Sequence, residues 1–433
     1  MTYGQLLQEK APMTKNTIPL SQLIEDMMHA LSSSPDNIRQ CLNVLSSTLD
    51  TQLAQTPYDV VYTEDRVKLK HYRPLTDIAY KTPLFIVYAL INRETMLDLQ
   101  PDRSVVQNLL QNGMDVYMLD WGYPTRKDRF LTIDDHVNGY IHNAVETILK
   151  THNIQSLNLM GVCMGGTFST MYAATHPDKV KNLLLTVTPI NFDTDAGLLH
   201  TWWGNPRFDV DSLVELQGNV SGDFLNQNFL LMNPSRLLID KYYGFVNNAT
   251  NKQFVENFIR MENWIFDSPD VPGETFRQFI KDCYQRNALI ENKMQVGEKT
   301  IDLKKVTMPV LNIYGQYDHL VPPAACELTT QAVGSKDTED VNLKTGHIGI
   351  YVSSKSQKEF VPKICNWLKE RDHISKTTGP QNGAGAKGQT KKTTQSRSSK
   401  STTGKAAQKK AAQGKSKTAH STSVSGSSGG RNP

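Results

Sequence analysis

The last sixty residues of this chain contain no acidic residue, no Phe, Tyr or Trp, and only two large aliphatics, Ile374 and Val424. Such a segment cannot bury enough apolar surface to offset the entropy of ordering it. Residues 374–433 are therefore expected to form a disordered tail, rich in Lys, Ser, Thr and Gly. The tail carries 12 Lys and Arg, which leaves 35 basic against 43 acidic residues in the remainder, a net of −8. The overall charge of +4 thus joins an acidic body to a basic appendage. With no aromatic among its cations the tail offers no platform for stacking bases. A solvated tail is the first expectation, and contact with nucleic acid or another polyanion by counterion release is the second.

Cysteine is scarce as well. Cys41, Cys163, Cys283, Cys326 and Cys365 are odd in number, widely spaced and without a CxxC pair, which argues against a disulfide framework and a thiolate zinc site. No metal or cofactor is expected. A reducing cytoplasm fits this pattern, and there a free thiol can serve as a nucleophile. Long apolar runs are missing too. The longest candidate, 84–91, stops at Asn92-Arg93, far short of the roughly 18 residues a membrane helix needs. The N-terminus lacks the apolar stretch of a signal peptide. A soluble or peripheral cytoplasmic protein is the expectation.

What is present divides into three parts. Residues 1–57 show helical spacing in two short stretches broken at Ser34-Pro35-Asp36, and read as a helical N-terminal arm for packing or docking. Residues 58–373 alternate strand, turn and helix. An antiparallel edge pair is expected in VVYTEDRVKLKHY, then a buried strand at 83–90 and further strands at 116–122, 157–163, 180–190, 310–318 and 341–347. Helices are expected near 102–112, from Thr132 or Asp134 to Leu149, after Cys163 to about His176, and over 354–371. This pattern implies an α/β fold: a mostly parallel sheet with helices on both faces. The alternation breaks over about 192–301, a stretch dense in aromatics such as Trp202, Trp203, Phe224, Phe258 and Trp264. It is too long for a plain loop and reads as an inserted helical cap over the active site. A second small domain without a catalytic role is the alternative.

One string carries chemistry. Gly161-Val162-Cys163-Met164-Gly165-Gly166 ends an expected strand and opens an expected helix. This is the nucleophile elbow of the α/β-hydrolase fold, with Cys in place of Ser. The turn is sharp and strained, and the flanking glycines let strand and helix approach without a Cβ clash. The helix start directs N–H groups and a positive dipole end at the thiol. Cys163 is thus the candidate nucleophile and the N–H of Met164 a candidate oxyanion donor. The bland alternative is a buried Cys in a Gly-rich strand end. The second oxyanion donor should come from the loop after 83–90, where Ile91 and Asn92 are both candidates.

In this fold the partners follow in the order nucleophile, acid, His. Asp318 and His347 each follow an expected strand, at the sheet edge where ligands bind. His319 is the rival histidine, expected to point away from its neighbour Asp318. Asp193 and Asp195 are rival acids, ranked below Asp318. Asp98 and Asp102 resemble a carboxylate pair, but are expected to cap and order the helix that follows them.

The strings IVYALINRETMLDLQPDRS, YMLDWGYPTRKDRFLTIDDHVNGYI, NLMGVCMGGTFS, LLLTVTPINF, PVLNIYGQYDHLVPP and GHIGIYVSSKS together resemble the polyhydroxyalkanoate synthases, best the shorter class III type. The resemblance runs through most of residues 60–372; the arm matches loosely and the tail falls outside it. It implies Cys163 as nucleophile, Asp318 as acid and His347 as base. It implies polymerisation of a short-chain (R)-3-hydroxyacyl-CoA, such as 3-hydroxybutyryl-CoA, into polyester with release of CoA. A homodimer, a non-catalytic E-type second subunit and a place at the surface of polyester granules are implied as well. Cysteine suits this chemistry because one thioester exchanges for another at little cost, so the acyl group stays activated. The 3-hydroxyl that attacks next needs a general base, and either His347 or Asp318 can be that base at this stage. A Cys-dependent thioester or lactone hydrolase on the same fold is the alternative function. A non-enzymatic granule-coat or nucleoid-tethering protein is a third.

Overall fold

The structure is a computed structural model and describes residues 53–234, 237, 240–248 and 251–372. All but the last five residues of the expected N-terminal arm, and the whole basic tail, lie outside these described residues.

Alternating residues ahead of the first buried run pair as an antiparallel hairpin, β1 (Tyr58–Glu64) with β2 (Val67–Tyr72). The runs β3 (Leu84–Val87), β4 (Val116–Asp120), β5 (Leu157–Val162) and β9 (Val310–Gly315) are buried at every position. That is why they read as continuous apolar runs rather than alternating ones. With β6 (Val180–Thr186) and the edge strand β10 (Thr338–Leu343) they complete an eight-stranded sheet, ordered β1-β2-β4-β3-β5-β6-β9-β10. Every pairing from β4 to β10 is parallel; β2 pairs antiparallel with both β1 and β4. A short hairpin, β7 (Gln295–Val296) with β8 (Lys299–Thr300), stands apart.

Helices α1 (Val105–Gln111), α2 (His142–His152) and α3 (Met164–Thr175) connect the parallel strands. The cap of α1 differs from the expectation. Ser104, next to the first helical residue, accepts the Gln107 N–H at 2.9 Å. Asp98 stands too far upstream to reach that amide. Its buried carboxylate instead accepts the Ser104 hydroxyl at 2.6 Å and the Thr56 N–H and hydroxyl at 2.9 and 2.7 Å. Asp102 accepts from Gln100 at 2.5 Å and lies 3.8 Å from Arg103. The helix expected from Thr132 or Asp134 begins as a π-helical segment, Asp135–Ile141, before it continues as α2.

Between β6 and β9 lie α4 (Leu198–Trp203), α5 (Val210–Gln217), α6 (Gly222–Met232), α7 (Lys241–Asn247), α8 (Lys252–Phe266) and α9 (Gly273–Gln278). A second π-helical segment, Phe279–Gln285, follows α9. The Ile133 N–H joins the two π regions by donating to Gln278 at 2.9 Å. Aromatic side chains of this insertion pack edge to face. Tyr284 meets Phe192 at 4.9 Å and Trp203 at 5.4 Å between centroids, and Phe279 meets Phe192 at 5.6 Å. Such contacts add about 0.5–1.5 kcal/mol each beyond area burial.

Three buried charges and the half-buried Arg93 hold the loop after β3. Lys70 Nζ lies 2.6 Å from Glu94 and 2.9 Å from Asp120. Arg93 bridges the same two carboxylates at 3.1 and 3.4 Å. The insertion fastens to this loop: Trp264 Nε1 donates to the Arg93 carbonyl at 2.8 Å, and Ser268 Oγ to Asn92 Oδ1 at 2.7 Å. Tyr123, past the end of β4, donates to Asp267 at 2.5 Å.

Candidate active site

Cys163 sits between β5 and α3 at φ 51° and ψ −124°. A non-glycine residue adopts that conformation only when its surroundings enforce it. Here its N–H donates to the Thr186 carbonyl of β6 at 2.9 Å, and its own carbonyl accepts the Gly166 N–H at 2.8 Å. The flanking glycines are sterically required. A Cβ on Gly165 would fall under 3.0 Å from the Val87 and Tyr88 carbonyl oxygens, one on Gly161 would strike Gly166, and one on Gly166 would strike Thr188. Tyr88 is itself pinned, because the Trp121 indole N–H donates to its carbonyl at 2.9 Å. The DWGYP stretch (120–124) therefore sets the distance between β3 and the first turn of α3.

The partner residues come from the loops after β9 and β10. His347 Nδ1 lies 2.7 Å from Asp318 Oδ2, and both side chains are buried. Asp318 Oδ1 accepts the Leu320 and Val321 N–H groups at 2.9 Å each, so both carboxylate oxygens are engaged. With Nδ1 taken by Asp318, the opposite edge of the imidazole is left for Cys163, with which His347 also interacts. Burial works against a charged imidazole, but the Asp318 carboxylate and then Cys163 outweigh it. The His347 pKa is pushed up to about 10.

Cys163 is half-buried, whereas Cys283, Cys326 and Cys365 are buried. Burial pushes all three of those thiols up, so Cys163 is the accessible thiol among the described residues; Cys41 lies outside them. Burial, and then the nearness of Cys163, also oppose ionisation of Tyr88 and Tyr284.

The rival residues stand elsewhere. Asp193, Asp195 and His319 are exposed, and Asp318 pairs with His347. Met164 is the first residue of α3, where an N–H has no acceptor within the helix. Ile91 and Asn92 follow β3 by four and five residues. Asn92 takes φ 62°, with its side chain held by Ser268. Sequence reasoning missed the group formed by the buried Lys70, Glu94 and Asp120 with Arg93, which three separate segments of the chain supply. It also missed His200 and Tyr284, hidden among the aromatics of the insertion. Among the described residues no group of three or more His, Cys, Asp or Glu is placed to hold a metal ion, and no helix is long and apolar enough to cross a membrane.

Comparison with known proteins bears on the fold and the family. Residues 82–353 match the family model for the alpha/beta hydrolase fold, and residues 15–109 the model for the poly-beta-hydroxybutyrate polymerase (PhaC) N-terminus. The poly(3-hydroxyalkanoate) polymerase subunit PhaC of Thiocystis violacea is 46% identical over 351 residues, covering 81% of this chain and 97% of that one. The chain belongs to the poly(3-hydroxyalkanoate) polymerase PhaC family. PhaC of Haloferax mediterranei is 44% identical (77% of this chain, 68% of that one), and PhaC of Synechocystis sp. 43% (74% and 86%). The PhaC N-terminal match begins at residue 15, well inside the arm that resembled the family only loosely. This PhaC-family chain has the α/β-hydrolase fold, with a mostly parallel sheet flanked by helices.

Proposed function

We propose that the protein polymerises short-chain 3-hydroxyacyl groups, delivered as CoA thioesters, through an acyl thioester on Cys163. The observation that carries this reading is the buried Asp318–His347 pair, 2.7 Å apart, set against the strained, half-buried Cys163 of a PhaC-family chain. In the first step the Cys163 sulfur attacks the thioester carbonyl. The bond to the CoA sulfur breaks, and His347 passes the cysteine proton to the departing thiol. The N–H of Met164, with one from Ile91 or Asn92, holds the negative oxygen that develops. In the second step the 3-hydroxyl of another acyl unit attacks the acyl-Cys163. An ester forms, the C–S bond breaks, and the hydroxyl proton returns to sulfur through His347.

His347 is favoured over Asp318 as the base for the hydroxyl. Both oxygens of Asp318 already accept hydrogen bonds, which leaves that carboxylate the work of orienting His347 and stabilising its charge. The helical insertion acts as a cap that limits water while admitting an alcohol. A homodimer, an E-type second subunit and a position at the polyester granule complete the proposal.

The test is CoA release from 3-hydroxybutyryl-CoA, with the product sized, for wild type and Cys163→Ala, each alone and with an E-type subunit added. High-mass polyester that disappears in the mutant is the expected result. Release of CoA with only free hydroxy acid would replace the synthase with a thioester hydrolase. Undiminished activity in Cys163→Ala would overturn the mechanism.

A further inference from the structure

His200 has no part in the chemistry above, yet its position is unusual. It projects from α4, is 5% exposed, and neither Nδ1 nor Nε2 has a hydrogen-bond partner among the described residues. Buried polar atoms in native proteins are almost always paired, and the exceptions point to a missing partner. The ring lies 5.2 Å from Tyr284, which with Tyr88 and Tyr351 is a tyrosine whose ionisation Cys163 opposes in addition to burial, and 6.3 Å from Phe192. Its Nδ1 faces Gly197, where an added Cβ would come 2.9 Å from that nitrogen and 3.3 Å from Pro322. Pro322 belongs to the loop that carries Asp318. His200 therefore lies between the aromatic cluster of the insertion and the acid loop, on the side of the molecule where Cys163 reacts.

Burial pushes the His200 pKa down to about 4, so the ring is neutral at pH 7. It then offers one N–H and one lone pair. A hydroxyl group, itself both donor and acceptor, complements that pair. The rings of Phe192 and Tyr284 flank the imidazole, and Gly197 lies on its Nδ1 side.

We propose that His200 is a specificity-determining residue that hydrogen-bonds the 3-hydroxyl of the acyl group bound at Cys163. This rests on the reading of Cys163 as the acylated nucleophile. A site built to pair a hydroxyl rejects the analogue that lacks it, because its own polar atoms are then left unpaired. Butyryl-CoA is that analogue: it can load Cys163 but carries no 3-hydroxyl.

The experiment compares single-turnover CoA release from 3-hydroxybutyryl-CoA and butyryl-CoA in wild type, His200→Phe and His200→Gln. Wild type should load the hydroxylated group at least about tenfold faster. His200→Phe should bring the ratio near one, and His200→Gln, which keeps a donor and an acceptor, should retain most of it. A wild-type ratio near one, an unchanged ratio in His200→Phe, or equal slowing of both substrates would each overturn the assignment. The last of these would mark His200 as structural. CoA release from neither thioester, or release undiminished in Cys163→Ala, would bring down the reading of the site and this inference with it.

Discussion

Replacing Gly165 by Ala sets two effects of opposite sign against each other. Gly165 is the second residue of α3, and at an unconstrained helical position Ala is favoured by about 1 kcal/mol. Here the new methyl would fall under 3.0 Å from two carbonyl oxygens, those of Val87 and Tyr88. Neither oxygen can swing aside as a side chain would. Val87 is paired in the sheet and the Tyr88 carbonyl is held by Trp121. Overpacking of this kind costs about 1–3 kcal/mol, and rigid backbone on the far side puts the cost at the upper end. The net expectation is a loss of about 2 kcal/mol, read as a lower urea midpoint at constant slope. Relief of the clash moves the first turn of α3 away from β3, carrying Cys163 and the Met164 N–H with it. A displacement near 1 Å at reacting atoms costs about 10²-fold in rate, so CoA release should fall by that order in the folded fraction. A Gly165→Ala protein that is more stable than wild type and fully active would refute the steric account of the elbow.

Two further perturbations follow from the charges. Asp318→Asn removes the strongest influence holding the His347 pKa up, and kcat should fall by about 10²–10⁴-fold with little change in fold. Because the folded-state pKa of His347 is raised, from 6.5 to about 10, its stabilising contribution is full below about pH 6.5. It is lost as pH rises toward 10. Urea titrations across that window should therefore show a steeper decline in wild type than in Asp318→Asn, and parallel declines would contradict the assignment. Lys70→Met leaves Glu94 and Asp120 buried with Arg93 as their remaining cation, at an expected cost of about 3–5 kcal/mol. Adding Glu94→Gln should recover part of that loss in a double-mutant cycle, and simple additivity would show that the four charges do not act as a group.

The sheet, the strained turn at Cys163 and the meeting of Asp318 with His347 were legible from signals in the sequence. Continuous apolar runs mark strands buried on both faces, and the glycines around Cys163 mark a backbone approach that tolerates no Cβ. Boundaries were less legible, and for a consistent reason. The apolar run at 83–90 outlasts β3, which ends at Val87. Its last residues, Tyr88 to Leu90, stay buried beyond the strand, and the Tyr88 carbonyl accepts from Trp121. Likewise β10 ends at Leu343, leaving the chain free to turn before His347. Asp98 was read as a helix cap from its charge and nearness, yet Ser104 holds that place because the geometry favours the adjacent residue. The π-helical segments at Asp135–Ile141 and Phe279–Gln285 leave no trace in apolar spacing. Lys70, Arg93, Glu94 and Asp120 could not be joined from sequence either, since only the folded sheet brings three separate segments to one buried point.

The fastening of the insertion to the loop after β3 bears on how a covalent chain end survives between additions. Trp264 and Ser268 hold Arg93 and Asn92 directly, and these neighbour Ile91 in the loop proposed to supply an oxyanion donor. Under the proposed mechanism, lifting that end of the insertion to admit a bulky nucleotide-bearing substrate would loosen the donor loop at the same moment. A thioester uncovered in that way would face solvent with its activating contacts relaxed, so the interval of greatest exposure to water would also be the interval of least reactivity. Exposure and activation would then alternate, and a growing chain would be spared hydrolysis without a perfectly dry site.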